Sequence, residues 1–184
     1  CDKRVVGEGV GSEKKVTREI IMSWIFQGNP NRFDIDDYLS RYTYIYWSAP
    51  TNQKEFEIGD RAFIWRSGTQ AGLVAIGIVK EKPTLRKDVR IQEALGDDLW
   101  ASQSDEPTEV KIGVEIEEVK LTDEEGFVSR DTVKSHPILS KNRIITNPVG
   151  TVFRLNEEET NALIGLWGDY YSDIPLQYSA IEGS

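Results

Sequence analysis

Between residues 22 and 168 the chain is written as short apolar runs separated by clusters of Gly, Pro, Asn, Asp and Ser, the punctuation of strands and turns. Ser23 to Gln27 is apolar and β-prone, and Gly28-Asn29-Pro30-Asn31 turns the chain out of it. Asp34 caps a short helix through Leu39, with Ile35, Tyr38 and Leu39 on one face and Arg41 toward its end. Thr43 to Trp47 and Arg61 to Arg66 read as strands, and Leu73 to Val79 is an unbroken apolar strand forming a hairpin with the second of them. Gly77 inside that run marks a bulge or a close backbone approach. Lys80 to Asp88 is expected to leave the sheet, Ile91 to Leu95 to make a helical turn, and Gly96 to Pro107 to be a polar loop interrupted by Trp100.

Glu109 to Leu121 alternates apolar and polar residues with one slip near Glu117-Glu118, which predicts a half-buried strand that bends or bulges. Ser129 caps a short helix that His136-Pro137 stops, and Gly150 to Leu155 forms a last strand. Asn156 then caps an amphipathic helix with acids in its first turn and Ala162, Leu163, Leu166 and Trp167 on the apolar face. The predicted fold class is α+β: a small, mostly antiparallel sheet curled toward a barrel, with short helices packed on it. Residues 1–21 and 169–184 read as tails or linkers around one domain at 22–168.

Composition narrows the classes of function. The single cysteine forms no internal disulfide, and no apolar run approaches the about 20 residues that cross a bilayer, so the chain reads as soluble, intracellular and cytoplasmic, with no membrane partner. Lys and Arg number 22 against 31 Asp and Glu, a net charge of -9, which argues against tight non-specific binding to phosphate backbones and leaves room for a selective reader. Catalysis finds no foothold. His136 is the only histidine and precedes a proline; no Cys/His spacing suits zinc, no glycine-rich loop suits a nucleotide cofactor, and the acidic clusters sit at helix starts. No catalytic residue, metal or cofactor is assigned.

The candidate chemistry is aromatic. Trp47 and Trp65 each lie at the end of a strand, with Ser48 directly after the first and Ser67-Gly68 just beyond the second, a place where an indole either joins the core or offers its face to a planar, hydrogen-bonding ligand such as a nucleobase. Trp24 and Trp167 read as core.

Gly28-Asn29-Pro30, Phe33-Asp34-Ile35, Tyr46-Trp47-Ser48-Ala49, Gly59 to Trp65, Ala71 to Gly77 and Gly150 to Leu155 occur in an order that resembles the EVE domain, over roughly residues 22 to 168. That family belongs to the PUA-like superfamily, with YTH and ASCH domains as relatives, and the version here is similar to modules attached to modification-dependent restriction systems of the McrB or HNH-nuclease kind. Trp47-Ser48 with Asn52 also resembles the YTH segment that holds a methylated adenine. The resemblance implies a non-catalytic reader of modified DNA, with modified RNA as the alternative polymer and a fused or associated nuclease or NTPase as partner. An acidic assembly module without a base pocket is the other reading.

A reader of this kind must turn the base out of the duplex, at a cost of a few kcal/mol, and recover about 1 to 3 kcal/mol from stacking. One methyl adds only about 0.8 kcal/mol by burial, so ring walls and polar groups on the base edge must carry the discrimination. On that footing Trp47 is the first wall and Trp65 or Trp100 the second; Ser48, Asn29 and Asn52 are candidates for the base edge, and Lys82, Arg86, Lys87 and Arg143 for flanking phosphates. Asn29, Ser48 and Asn52 can equally do no more than shape turns and satisfy backbone groups.

Overall fold

The computed structural model describes residues 21–101 and 109–168. The linker readings of 1–20 and 169–184, and the part of the polar loop beyond 101, lie outside the described residues. In chain order the elements are β1 (Ser23–Gly28), α1 (Ile35–Arg41), β2 (Tyr44–Ser48), β3 (Arg61–Arg66), β4 (Gly72–Leu85), β5 (Val110–Val119), β6 (Val128–Ser129), α2 (Arg130–Ser135), α3 (Arg143–Thr146), β7 (Val152–Leu155) and α4 (Glu157–Trp167). Short 3₁₀ turns lie between β4 and β5 and ahead of α3.

The caps form where their residue types predict. Asp34 accepts a bond from Asp37 N at 3.1 Å, and Asn156 and Glu159 make a reciprocal capping box at the head of α4. A buried carboxylate braces the start of β3: Asp60 accepts from Trp24 Nε1 at 3.0 Å and from Glu57 N at 2.9 Å.

The strands form one mixed sheet in the order β2-β5-β4-β3-β1-β7, with β6 on the side of β4. β1 runs parallel to β3, because α1 and β2 intervene between them; the other pairs are antiparallel. Three strands separate β2 from β1 in that order, roughly 19 Å across a flat sheet at the usual spacing. Yet Trp47 Nε1 at the end of β2 donates to Gln27 O in β1 at 3.2 Å. The sheet therefore curls until its first strand faces its fifth, and stays open, as an α+β fold with a bent sheet.

Bulges supply the bend. Ile76 pairs with Glu118 but Gly77 with Ile116, so Glu117 is the extra residue, where the alternation slips. A Cβ on Gly77 would lie 2.3 Å from Glu115 O, the close approach expected of it. β4 does not leave the sheet at Lys80: it continues to Leu85, bending through two more register shifts. Pro83 falls inside the last shift, between the paired Glu81 and Thr84, where its missing N–H breaks no ladder pair.

Both faces of the sheet are covered. Trp24, Phe26, Ile45, Trp47, Ile64 and Val114 fill the concave side against α1, and Ile25, Phe63, Trp65, Phe153, Leu163 and Trp167 fill the other side beneath the C-terminal helices. Arg66, itself buried, ties α1 to the sheet through a forked contact with Asp36 at 2.9 and 3.1 Å.

Candidate nucleic-acid interface

The curl leaves a cavity of about 780 Å³ where the ends of β1 and β2 meet three loops, within the range of roughly 300 to 1,000 Å³ typical of ligand sites. The 29–33 turn, Trp100 with its neighbours, and the 148–151 segment form its rim. Trp47 lines it from inside but is only 6% exposed, since its ring edge lies against Gly28 and its N–H is spent on Gln27. The more exposed ring is Trp100, joined to the buried Phe33 by a backbone bridge with ring centres 4.6 Å apart. Trp100 Nε1 is buried and has no hydrogen-bond partner among the described residues.

A polar relay crosses the inner wall. Lys111, 4% exposed, donates from Nζ to Ser48 Oγ at 3.1 Å, and Ser48 donates to Glu109 Oε2 at 2.5 Å. The Ser48↔Lys111 register of β2 and β5 brings the first pair together. The ammonium also sits 5.5 Å from the Trp100 ring centre, a cation–π contact. Ser48 therefore has its proton and a lone pair engaged within the protein, and Glu109 and Lys111 are the charged groups beside it.

The structure brings Trp47, Ser48, Asn29 and Trp100 to this cavity. Asn29 uses Oδ1 to accept from Asn31 N at 2.9 Å, shaping the turn. Trp65 is not a second wall. It is 2% exposed and points to the helix-covered side with Phe63, because alternation along β3 sends Ile64 and Trp65 to opposite faces. Asn52 is also not at the cavity: it holds an exposed left-handed turn at φ 59° and donates to Glu55 at 3.2 Å.

None of the four phosphate candidates lines the cavity. Lys82 pairs with Glu57 at 3.6 Å and Arg86 with Asp97, while Lys87 is exposed on the turn after β4. Their neighbours in the basic run are paired too, Lys80 with Glu115 at 3.7 Å and Arg90 with Glu81 at 3.8 Å. Arg143 bonds Val149 O at 3.1 Å and so serves the rim's backbone. The cation at the mouth is Arg32, which sequence reasoning missed along with Lys111, Glu109, Phe33 and Gln27. Only Arg32 carried a local sign, a charge inside a Gly-Asn-Pro-Asn turn; the others become a site through strand pairing.

Among the described residues no three His, Cys, Asp or Glu side chains are grouped to hold a metal, and no helix is long and apolar enough to cross a membrane.

A curled mixed sheet with short helices on its convex side and a cavity at its open end defines a PUA-like α+β fold. The EVE domain model matches residues 22–166, and the chain belongs to that family. Solved structures share the fold. A hypothetical protein from Leishmania major has a TM-score of 0.58 at 16% identity, covering 81% of this chain and 96% of its own. Human THYN1, solved in complex with DNA containing 5-methylcytosine, has a TM-score of 0.56 at 14% identity, covering 80% and 98%. A protein from Agrobacterium tumefaciens has 0.55 at 18%, covering 80% and 93%. No curated protein matches the chain.

Proposed function

We propose that this domain is a non-catalytic reader of modified bases in DNA, which takes a base turned out of the duplex into the cavity between β1 and β2. The observation that carries the reading is the cavity's wall: Trp47, Phe33 and Trp100 line it together with the polar groups of Ser48, Glu109 and Lys111. In this reading Trp100 and Phe33 hold the base, Trp47 closes the back, Glu109 and Lys111 meet its polar edge beside Ser48, the Asn29 amide stands at the mouth, and Arg32 approaches a flanking phosphate. The THYN1 complex with 5-methylcytosine DNA supports DNA as the polymer.

One base and one methyl give modest affinity, and a net charge of -9 opposes phosphate, so the domain works best as the specificity module of a larger assembly that raises its effective concentration on DNA. A modification-dependent restriction system, with its nuclease or NTPase on another domain or partner, is such an assembly. The test is binding, at one stated salt, to matched duplexes carrying cytosine, 5-methylcytosine, 5-hydroxymethylcytosine, adenine or 6-methyladenine, with Trp100→Ala beside the wild type. Preference for one modified duplex that the variant loses is the expected result. Equal weak binding to all five rejects the reading, and tighter binding to the same modification in RNA moves it to that polymer.

A further inference from the structure

An apolar side chain stands free at the mouth of the cavity. Val149 is 72% exposed, between Pro148 and Gly150, which both line the cavity. A lone exposed valine is ordinary. The backbone that carries it is unusual, because four successive carbonyls are each held: Pro148 O and Gly150 O by Gln27 Nε2 at 3.2 and 2.8 Å, Val149 O by Arg143 Nη2 at 3.1 Å, and Thr151 O by Gln27 N at 2.8 Å. The Val149 N–H closes a tight turn onto Asn147 O at 2.8 Å, and Gly150, at φ 118°, reverses the chain into β7 through a backbone shape that side chains rarely allow. The Arg143 guanidinium is itself seated 5.1 Å from the Phe153 ring centre. A loop tied at every carbonyl presents its tip in one position, and a β-branched tip has little rotamer freedom of its own.

We infer that Val149 is a wedge that enters the base stack at the step from which a base has been turned into the cavity. This rests on the reading of the cavity as a pocket for a modified base. Removing a base from the stack leaves an apolar gap between its neighbours, and a short apolar side chain filling that gap is how minor-groove proteins hold an opened step. Val149 sits on the rim that a duplex must approach for its base to reach Trp100, and its carbonyl tether to Arg143 keeps the tip from folding back. The wedge acts on opening the duplex and makes no contact with the base inside the cavity.

The experiment uses three short DNAs with the modified base preferred in the comparison of five duplexes at their centre: a fully paired duplex, the same duplex with an abasic site opposite the modified base, and the single strand. Wild type, Val149→Ser and Val149→Leu are compared by fluorescence anisotropy at one salt. The inference expects Val149→Ser to weaken binding to the paired duplex by about tenfold, the order of one lost apolar contact, with less than a twofold change on the abasic duplex and single strand. Val149→Leu should bind as wild type. Equal loss on all three DNAs, or no loss on the paired duplex, overturns the wedge while leaving the pocket intact. Wild-type protein that prefers none of the modified duplexes in the comparison of five overturns both.

Discussion

The Lys111 ammonium reaches Ser48 Oγ at 3.1 Å, and through that one oxygen a buried cation is joined to the Glu109 carboxylate. Hydrogen bonds to charged groups contribute more than neutral ones, and a buried charge deprived of one is expensive. Ser48→Ala should therefore lower stability by about 1 to 3 kcal/mol, with Ser48→Thr, which keeps the hydroxyl, close to wild type. Urea titration measures both. An alanine variant as stable as the wild type would mean the relay carries no net energy.

Gly28 is the second contact point of the curl. A Cβ there would lie 2.7 Å from Trp47 Cζ2 and 2.8 Å from Ile35 Cδ1. The isoleucine methyl can swing away, but the indole is a rigid plate backed by the core. Gly28→Ala should cost about 1 to 3 kcal/mol of overpacking, with an unchanged denaturant slope and a shifted tryptophan emission. A neutral effect on both would show that β1 and β2 are less tightly closed than the Trp47 to Gln27 bond implies.

Much of this was legible in the chain. Capping residues sit at their predicted positions, and the slip at Glu117 and the tight spot at Gly77 read correctly, because each is a local conflict between a residue and its pattern. The side chosen by Trp65 was illegible: Ala62-Phe63-Ile64-Trp65 is apolar throughout because both faces of β3 are covered, so alternation left no trace. Trp47, with the same local sequence signal, falls on the other side. The basic run misled for a related reason. Its carboxylate partners Glu57, Asp97 and Glu115 come from three separate stretches and meet it only in the fold. Lys111 is hidden the same way, one residue before a core isoleucine and set beside Ser48 and the Trp100 ring only in the fold.

Two tyrosines tie stability to alkaline pH. Tyr38 donates its hydroxyl proton to Ala94 O and accepts from Tyr46 N at 2.8 Å, and Tyr46 donates to Glu81 at 2.6 Å. Burial, the largest cause in both, lifts their pKa values well above the ordinary phenol value of about 10, and the Glu81 carboxylate adds to this at Tyr46. A raised folded-state value means that the folded protein keeps the protons longer than the unfolded chain. Their contribution is fully present below about pH 10 and is lost as pH rises through the folded-state values. Absorbance at 295 nm should accordingly show exposed phenols ionising first, with the last ones released together with the loss of circular dichroism. A single tyrosine transition near pH 10 in a protein that stays folded would refute this.

The last prediction separates the two cationic sets by their response to salt. Each phosphate contact contributes about one unit to the slope of log affinity against log salt concentration. Lys82 is occupied by Glu57 and lies outside the cavity, whereas Arg32 stands at its mouth. Arg32→Ala should lower the slope for the preferred modified duplex by roughly 1 and weaken modified and unmodified DNA by the same factor, because a phosphate contact carries no base information. Lys82→Ala should change neither slope nor affinity, since the lysine exchanges one carboxylate pair for solvent in an exposed position where such pairs contribute little. If the two variants behave in the opposite sense, DNA crosses the β4 side of the domain, and the cavity mouth is not where the duplex lies.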